Sequence, residues 1–258
     1  MKLIQIELVG QLVLRDLNAR FKGTFFGAIW SLLLPLLTLS MYVLVFGKFM
    51  QAKWPGVTTT SDFAIILFCG IVAHLFFSEC LNRSASLIFS QPNYVKKVVF
   101  PLEQLIWVPV GSAAISFGLS VLVLLAFKAF LLGTFAWTSL LIPVVFLPLL
   151  IMAAGLGLAF SALGAYFRDL AQILPVVTQA LMFLSPVLYP IENVPKEYHW
   201  ILYINPLTLV VEQLRKLVIQ GEIFDVLAVT QYFAISVLVF FIGLQLFRFL
   251  RPGFADVV

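Results

Sequence analysis

The chain has 258 residues, 62% of them hydrophobic and 11% charged, and a mean hydropathy of +1.07; a soluble domain of this length carries about 25% charged residues. A water-soluble globule is excluded, and the composition is that of an all-α polytopic membrane protein. The formal net charge of +4 does not indicate a nucleic-acid partner, because the basic residues fall in ones and twos rather than along one stripe.

Residues 1–22 come first. Ile6, Val9, Val13, Leu17 and Phe21 recur at three- and four-residue spacing, with Arg15, Asp16 and Lys22 off that stripe. This predicts an amphipathic helix lying on the inner membrane interface. Glu7, Arg15 and Asp16 interrupt the apolar residues, and no small-residue cleavage motif follows, so a signal peptide is not expected.

About 20 apolar residues are needed to cross a hydrocarbon core of about 30 Å. Stretches free of Asp, Glu, Lys and Arg predict spans at about 23–47, 63–82, 104–127, 140–166, 170–190 and 226–247. Glu79 and Arg83 sit at the end of the second, where long side chains reach the interface. Trp137, Thr138 and Ser139 mark an interfacial start to the fourth. Arg168 and Asp169 are the only charges between Lys128 and Glu192; they read as the tip of a tight hairpin joining spans four and five. An even number of spans puts both termini on one side. That side carries Lys2, Arg15, Arg20, Lys22, Arg83, Lys96, Lys97, Arg168, Arg248 and Arg251, ten basic residues against six opposite, so the positive-inside bias makes it cytoplasmic.

Cys69 and Cys80, if they share a helix, are roughly 16 Å apart along its axis, beyond the roughly 7 Å Cα limit of a disulfide. They read as inert thiols.

Residues 205–221, NPLTLVVEQLRKLVIQG, predict a half-length helix on the outer side. Asn205 is a good N-cap, Pro206 sits at the first turn and Gly221 stops the last. Leu207, Val210, Val211, Leu214, Leu217 and Val218 share one face, and Glu212 and Lys216 are spaced to pair on another. Such a helix is too polar to span and too apolar to stand in water, so it should dip into the outer leaflet or pack on the spans.

The chemistry of an enzyme is missing from the sequence. No GxxxxGK[ST] phosphate loop occurs, and His74 and His199 lack metal-site spacing. No catalytic, cofactor-binding or metal-ligating residue is therefore assigned. Within the spans His74 is the clear ionisable candidate for proton coupling, and it reads better as a neutral packing residue. Glu192 and Glu197, in a proline-flanked loop, read as solvated charges.

Five blocks, RDLNARFKGTFFGAIWSLLLPLLTLSMYVLVFG (15–47), QPNYVKKVVFP (91–101), YFRDLAQILPVVTQALMFLSPVLYP (166–190), IENVPKEYHW (191–200) and NPLTLVVEQLRKLV (205–218), resemble in order the membrane subunit of type-2 ABC exporters. Within that family the chain is most similar to permeases for O-antigen, capsule and related surface polysaccharides. The resemblance implies a homodimer of six-span subunits in the bacterial inner membrane, exporting a lipid-linked polysaccharide, O-antigen first. Two copies of a separate ATPase chain would bind ATP and Mg and supply the power. It implies a coupling helix at 92–101, with Asn93, Tyr94, Lys96 and Lys97 as ATPase contacts, and an N-terminal interface helix whose Arg15, Asp16, Arg20 and Lys22 face the ATPase or anionic headgroups. It places a periplasmic gate at 205–221, with Asn205, Pro206, Glu212 and Arg215 as its polar and capping residues. Sugar rings stack on aromatic faces, so Phe25, Phe26, Trp30, Tyr42, Phe76, Tyr166, Phe183 and Tyr189 are the candidate liners of a channel. The alternatives are a type-2 exporter of capsule, teichoic acid or a small lipid or drug, and a proton-coupled transporter using His74.

Overall fold

The computed structural model describes residues 2–22, 27–49, 54, 55, 57, 59–92, 94 and 101–257, and among them every regular element is helical. In chain order these are α1 (Lys2–Phe21), α2 (Trp30–Tyr42, prolonged by a π-helical Val43–Phe49), α3 (Thr60–Ser84), α4 (Trp107–Leu132), α5 (Ile142–Tyr166), α6 (Leu170–Phe183), α7 (His199–Ile204), α8 (Pro206–Arg215, prolonged by Lys216–Gln220), α9 (Val226–Leu250) and α10 (Phe254–Val257). Among the described residues five stretches are long and apolar enough to cross a membrane: Leu32–Phe49, Thr60–Ser84, Leu102–Phe130, Trp137–Tyr166 and Val226–Gly253.

The helix α6 departs from the expected span 170–190. Its 14 residues reach only about 21 Å at 1.5 Å per residue. Pro186 is the cause, since proline lacks the N–H that would continue the ladder and restricts the residue before it. The chain leaves the helix at Leu184 and turns through 185–190.

At the centre stands α3. Thr59 caps it, its hydroxyl accepting from the Asp62 N–H, and the helix is apolar on all sides, which suits a position with no lipid face. Of its most apolar window 83% is buried, with α2, α4, α5, α6 and α8 packed around it. Phe76 is part of this core. It is 2% exposed, edge-on to Phe146 at 4.7 Å and to Phe117 at 5.9 Å. Within the single subunit the Phe76 ring, expected as a channel liner, is taken up by this packing.

The most extensive helix pair is α5 with α9. A Cβ on Gly155 would run into the backbone of Val239 and Phe240, and one on Gly243 into the carbonyl of Gly155. Small residues permit this close crossing where lipid offers no hydrophobic drive to associate. The far face of α9 stays open, with Leu238, Phe241, Ile242 and Phe249 exposed. Leu34, Leu37, Met41 and Leu44 on α2, and Ile173, Val176, Val177 and Phe183 on α6, are exposed as well.

Candidate functional site

Where α6 breaks, its last carbonyls and those of the following turn lose their helical partners, a cost of several kcal/mol per group in hydrocarbon unless protein satisfies them. Side chains of the 205–221 segment do so. Asn205 Nδ2 donates to the carbonyls of Leu181 at 2.8 Å and Leu184 at 3.0 Å, while its Oδ1 accepts from the Leu207 N–H at 3.0 Å. Asn205 thus caps α8 and seals the broken span. Arg215 completes the closure, donating to the carbonyls of Pro186 at 2.6 Å, Val187 at 3.0 Å and Ile66 at 3.3 Å. Its guanidinium carbon lies 4.5 Å from the Trp54 ring centroid. No carboxylate touches it among the described residues. Burial pushes its pKa down to about 10, against the attraction of nearby Glu212 and Glu192.

The apolar face of α8 is fully used: Leu207, Val210, Val211, Leu214, Leu217 and Val218 are all buried. Beyond Arg215 the helix widens into its π-helical turn. There the carbonyls of Leu217 and Val218 accept from Thr138 Oγ1, at 2.6 Å, and from Lys128 Nζ. Gly221 ends the segment at φ 72°, a left-handed conformation that glycine adopts without a Cβ penalty. Glu212 and Lys216 do not close the ion pair their spacing allows. Burial raises the Glu212 carboxyl above its usual range, with Arg215 opposing and Glu192 reinforcing the shift.

The opposite end of the bundle carries a different kind of polar cluster. Arg83 near the end of α3 donates to Asp16 Oδ1 of α1 at 2.6 Å, to Ser112 of α4 at 2.9 Å and to Glu79 Oε1 at 3.3 Å. Arg20 of α1 meets the same Glu79 oxygen at 2.5 Å. Asp16 and Arg20 therefore face α3, while Arg15 points elsewhere, its guanidinium 3.4 Å from the Tyr94 hydroxyl. Leu12 and Val13 supply the apolar contact beneath, with α1 resting on α4. Glu103 before α4 pairs with Arg251 at 3.2 Å and Arg248 at 3.8 Å. Arg168 and Asp169 lie in the short exposed link between α5 and α6 at this same end, with Arg168 5.9 Å over the Phe89 ring of the turn after α3.

Of the coupling residues named from sequence, the structure brings Arg15 to Tyr94 and places Arg20 on Glu79; Asn93, Lys96 and Lys97 lie outside the described residues. Of the aromatics, Phe25 and Phe26 also lie outside them. Tyr42 (hydroxyl to Met182 Sδ, 3.5 Å), Phe183 and Tyr189 (hydroxyl to the Phe183 carbonyl, 2.7 Å) converge at the end of α6. Trp30 is half-buried at the start of α2, and Tyr166 lies at the α1 end, donating to the Leu250 carbonyl at 2.8 Å. His74 is buried in α3 with its Nδ1 unpaired among the described residues. Sequence reading missed Lys128, Trp54 and the Asp16–Arg83 contact. Lys128 did carry a signal: a lone lysine between two apolar runs has to find acceptors.

A multi-span bundle with a broken helix, sealed at one end by a half-length helix and bound at the other to an amphipathic one, is the architecture of a polytopic membrane protein. The chain matches the family model for ABC-2 type transporters over residues 7–219, and it belongs to that family. It is 26% identical over 250 residues to the O-antigen export system permease protein RfbA of Klebsiella pneumoniae, covering 95% of this chain and 92% of that protein. It is 29% identical over 248 residues to the polysialic acid transport protein KpsM of Escherichia coli, covering 95% and 94%. The RfbA permease of Myxococcus xanthus is 28% identical over 251 residues, covering 96% and 94%.

Proposed function

We propose that this chain is the membrane-embedded subunit of an ABC exporter that conducts a lipid-linked cell-surface polysaccharide, O-antigen first, out across the bacterial inner membrane. The observation that carries the reading is collinearity. Relatives named for O-antigen export and polysialic acid transport align over 92% or more of their own length as well as this chain's.

In this reading two copies of the chain enclose the path, meeting along the unpartnered faces of α2 and α6, where Tyr42, Phe183 and Tyr189 gather. A separate ATPase, also in two copies, binds ATP and Mg on the cytoplasmic side. That side is the α1 end, and both termini lie there, in accord with the positive-inside count. The ATPase engages Tyr94 and Arg15 together with Asn93, Lys96 and Lys97, and its stroke reaches α3 through Asp16, Arg20, Glu79 and Arg83. The α8 segment closes the outer side, where Asn205, Pro206, Glu212 and Arg215 fix it to the broken end of α6. Closure then changes by a shift of packed elements between two arrangements.

The test is reconstitution. Vesicles holding this chain with its ATPase should move lipid-linked polysaccharide on addition of ATP and Mg, whereas the chain alone should hydrolyse no ATP. Transport by the chain alone on a proton gradient, abolished by His74→Gln, would overturn the reading in favour of a proton-coupled carrier.

A further inference from the structure

Between α8, the first turns of α9 and the loop after α6 lies a cavity of about 730 Å³, inside the range of about 300–1,000 Å³ that binds small ligands. It reaches Met152 in α5 and Ile235 in α9; ten and nine residues into their helices, these lie about 15 Å from the α8 end. Five polar side chains line it that the fold does not use: Glu192, Glu212, Lys216, Gln220 and Gln231. None of the five makes a hydrogen bond or ion pair with another described residue. Polar side chains left unpaired around a cavity are free to meet a polar ligand. Trp54 and Tyr203 add aromatic surface at the walls.

We propose that this cavity is a glycan subsite that holds a neutral, hydroxyl-rich sugar segment of the exported polymer and disfavours a polyanionic one. The inference rests on the exporter reading and adds a preference between the two kinds of cargo for which the chain's relatives are named. Carboxylates and amides together offer acceptors and donors for sugar hydroxyls. Charge sets the preference. Glu192, Glu212 and Asp225 face the cavity against Lys216 and Arg215, and Arg215 already spends Nε, Nη1 and Nη2 on main-chain carbonyls. An acidic sugar would therefore meet a carboxylate-rich wall with one ammonium left to receive it.

The experiment uses the full chain in lipid nanodiscs with two probes, an N-acetylglucosamine hexasaccharide and an α2,8-linked sialic acid hexasaccharide, read by saturation-transfer NMR. The neutral probe should bind and the sialic probe should not. Gln231→Ala, at an exposed position, should weaken the neutral probe about fivefold, the worth of one or two hydrogen bonds. Glu192→Lys, also exposed, should bring in binding of the sialic probe, a gain that mere loss of fold cannot produce. Equal binding of both probes by the wild type, or neutral binding unmoved by Gln231→Ala, overturns the subsite. Polysaccharide export is followed in cells carrying the same variants. Export by the wild type with no binding of the neutral probe defeats the subsite and leaves the exporter reading standing; surface polysaccharide unaffected by deletion of the chain defeats both.

Discussion

At the α8 end the Arg215 guanidinium is enclosed by three main-chain carbonyls and a tryptophan ring, whereas at the α1 end the Arg83 guanidinium meets two carboxylates and a hydroxyl. The residues differ in exposure: Arg215 is 9% exposed, while the Arg83 and Asp16 side chains are 33% and 24% exposed. Carbonyls are fixed by the backbone, and a planar fork that serves three of them has one geometry. Partly exposed carboxylates shared between helices hold their partners less rigidly; one Glu79 oxygen serves Arg20 and Arg83 together. One end is built as a seal and the other as a joint.

The sharpest way to break this contrast is Arg215→Met. It strips the donor from the Pro186 and Val187 carbonyls, at about 1–3 kcal/mol for each buried group left unsatisfied, and removes a second donor from Ile66, whose carbonyl lies within α3. The expected result is a loss above about 3 kcal/mol, seen as a collapsed melting temperature or loss of the monodisperse species in detergent. Arg215→Lys should recover only part, because one ammonium cannot reproduce the fork. Full recovery by lysine would mean that charge alone matters there.

Smaller effects are expected at the joint. Asp16→Asn and Arg83→Gln should each cost about 0.5–1 kcal/mol of stability, in keeping with partly exposed ion pairs. Both should nevertheless uncouple ATP hydrolysis by the partner from polysaccharide transport. A double-mutant cycle on the pair measures the contact, and coupling unchanged in both single variants would show that α1 does not carry the stroke. Glu103→Gln, whose partners Arg248 and Arg251 are 62% and 43% exposed, should move the melting temperature less than Asp16→Asn does.

Much of this contrast was legible in the sequence, though unevenly. The helical class followed from composition, and the 205–221 segment from Asn205, Pro206, Gly221 and the spacing of its apolar face, because caps and periodicity are local properties. The length of α6 was misjudged because its residues stay apolar through Tyr189; apolarity says where chain can be buried, while Pro186 decides where it stops being helical. Arg215 is named from sequence as a gate residue, but its partners are not, since the three carbonyls that hold it come from segments 28 to 149 residues away. For Asp16 and Arg20 the sequence suggests the ATPase or anionic headgroups as neighbours; it does not reveal their contacts with Arg83 and Glu79, which depend on how α1 lies across α3.

The smallest expected effect tests whether the α8 end tolerates a charge that the fold does not pair. Burial raises the folded-state pKa of Glu212, so the native chain binds its proton more readily than the unfolded chain does. By linkage its contribution is fully favourable below the ordinary value of 4.5 and is lost as pH rises through the elevated folded value. Glu212→Gln mimics the protonated form and should raise the melting temperature slightly at pH 7, with the difference from wild type vanishing as pH falls below 4.5. A Gln variant less stable than wild type at neutral pH would mean that the Glu212 carboxylate is held by attraction to Arg215 and Lys216. The α8 end would then rest on an ion-pair cluster like the α1 end, and the distinction between seal and joint would fail.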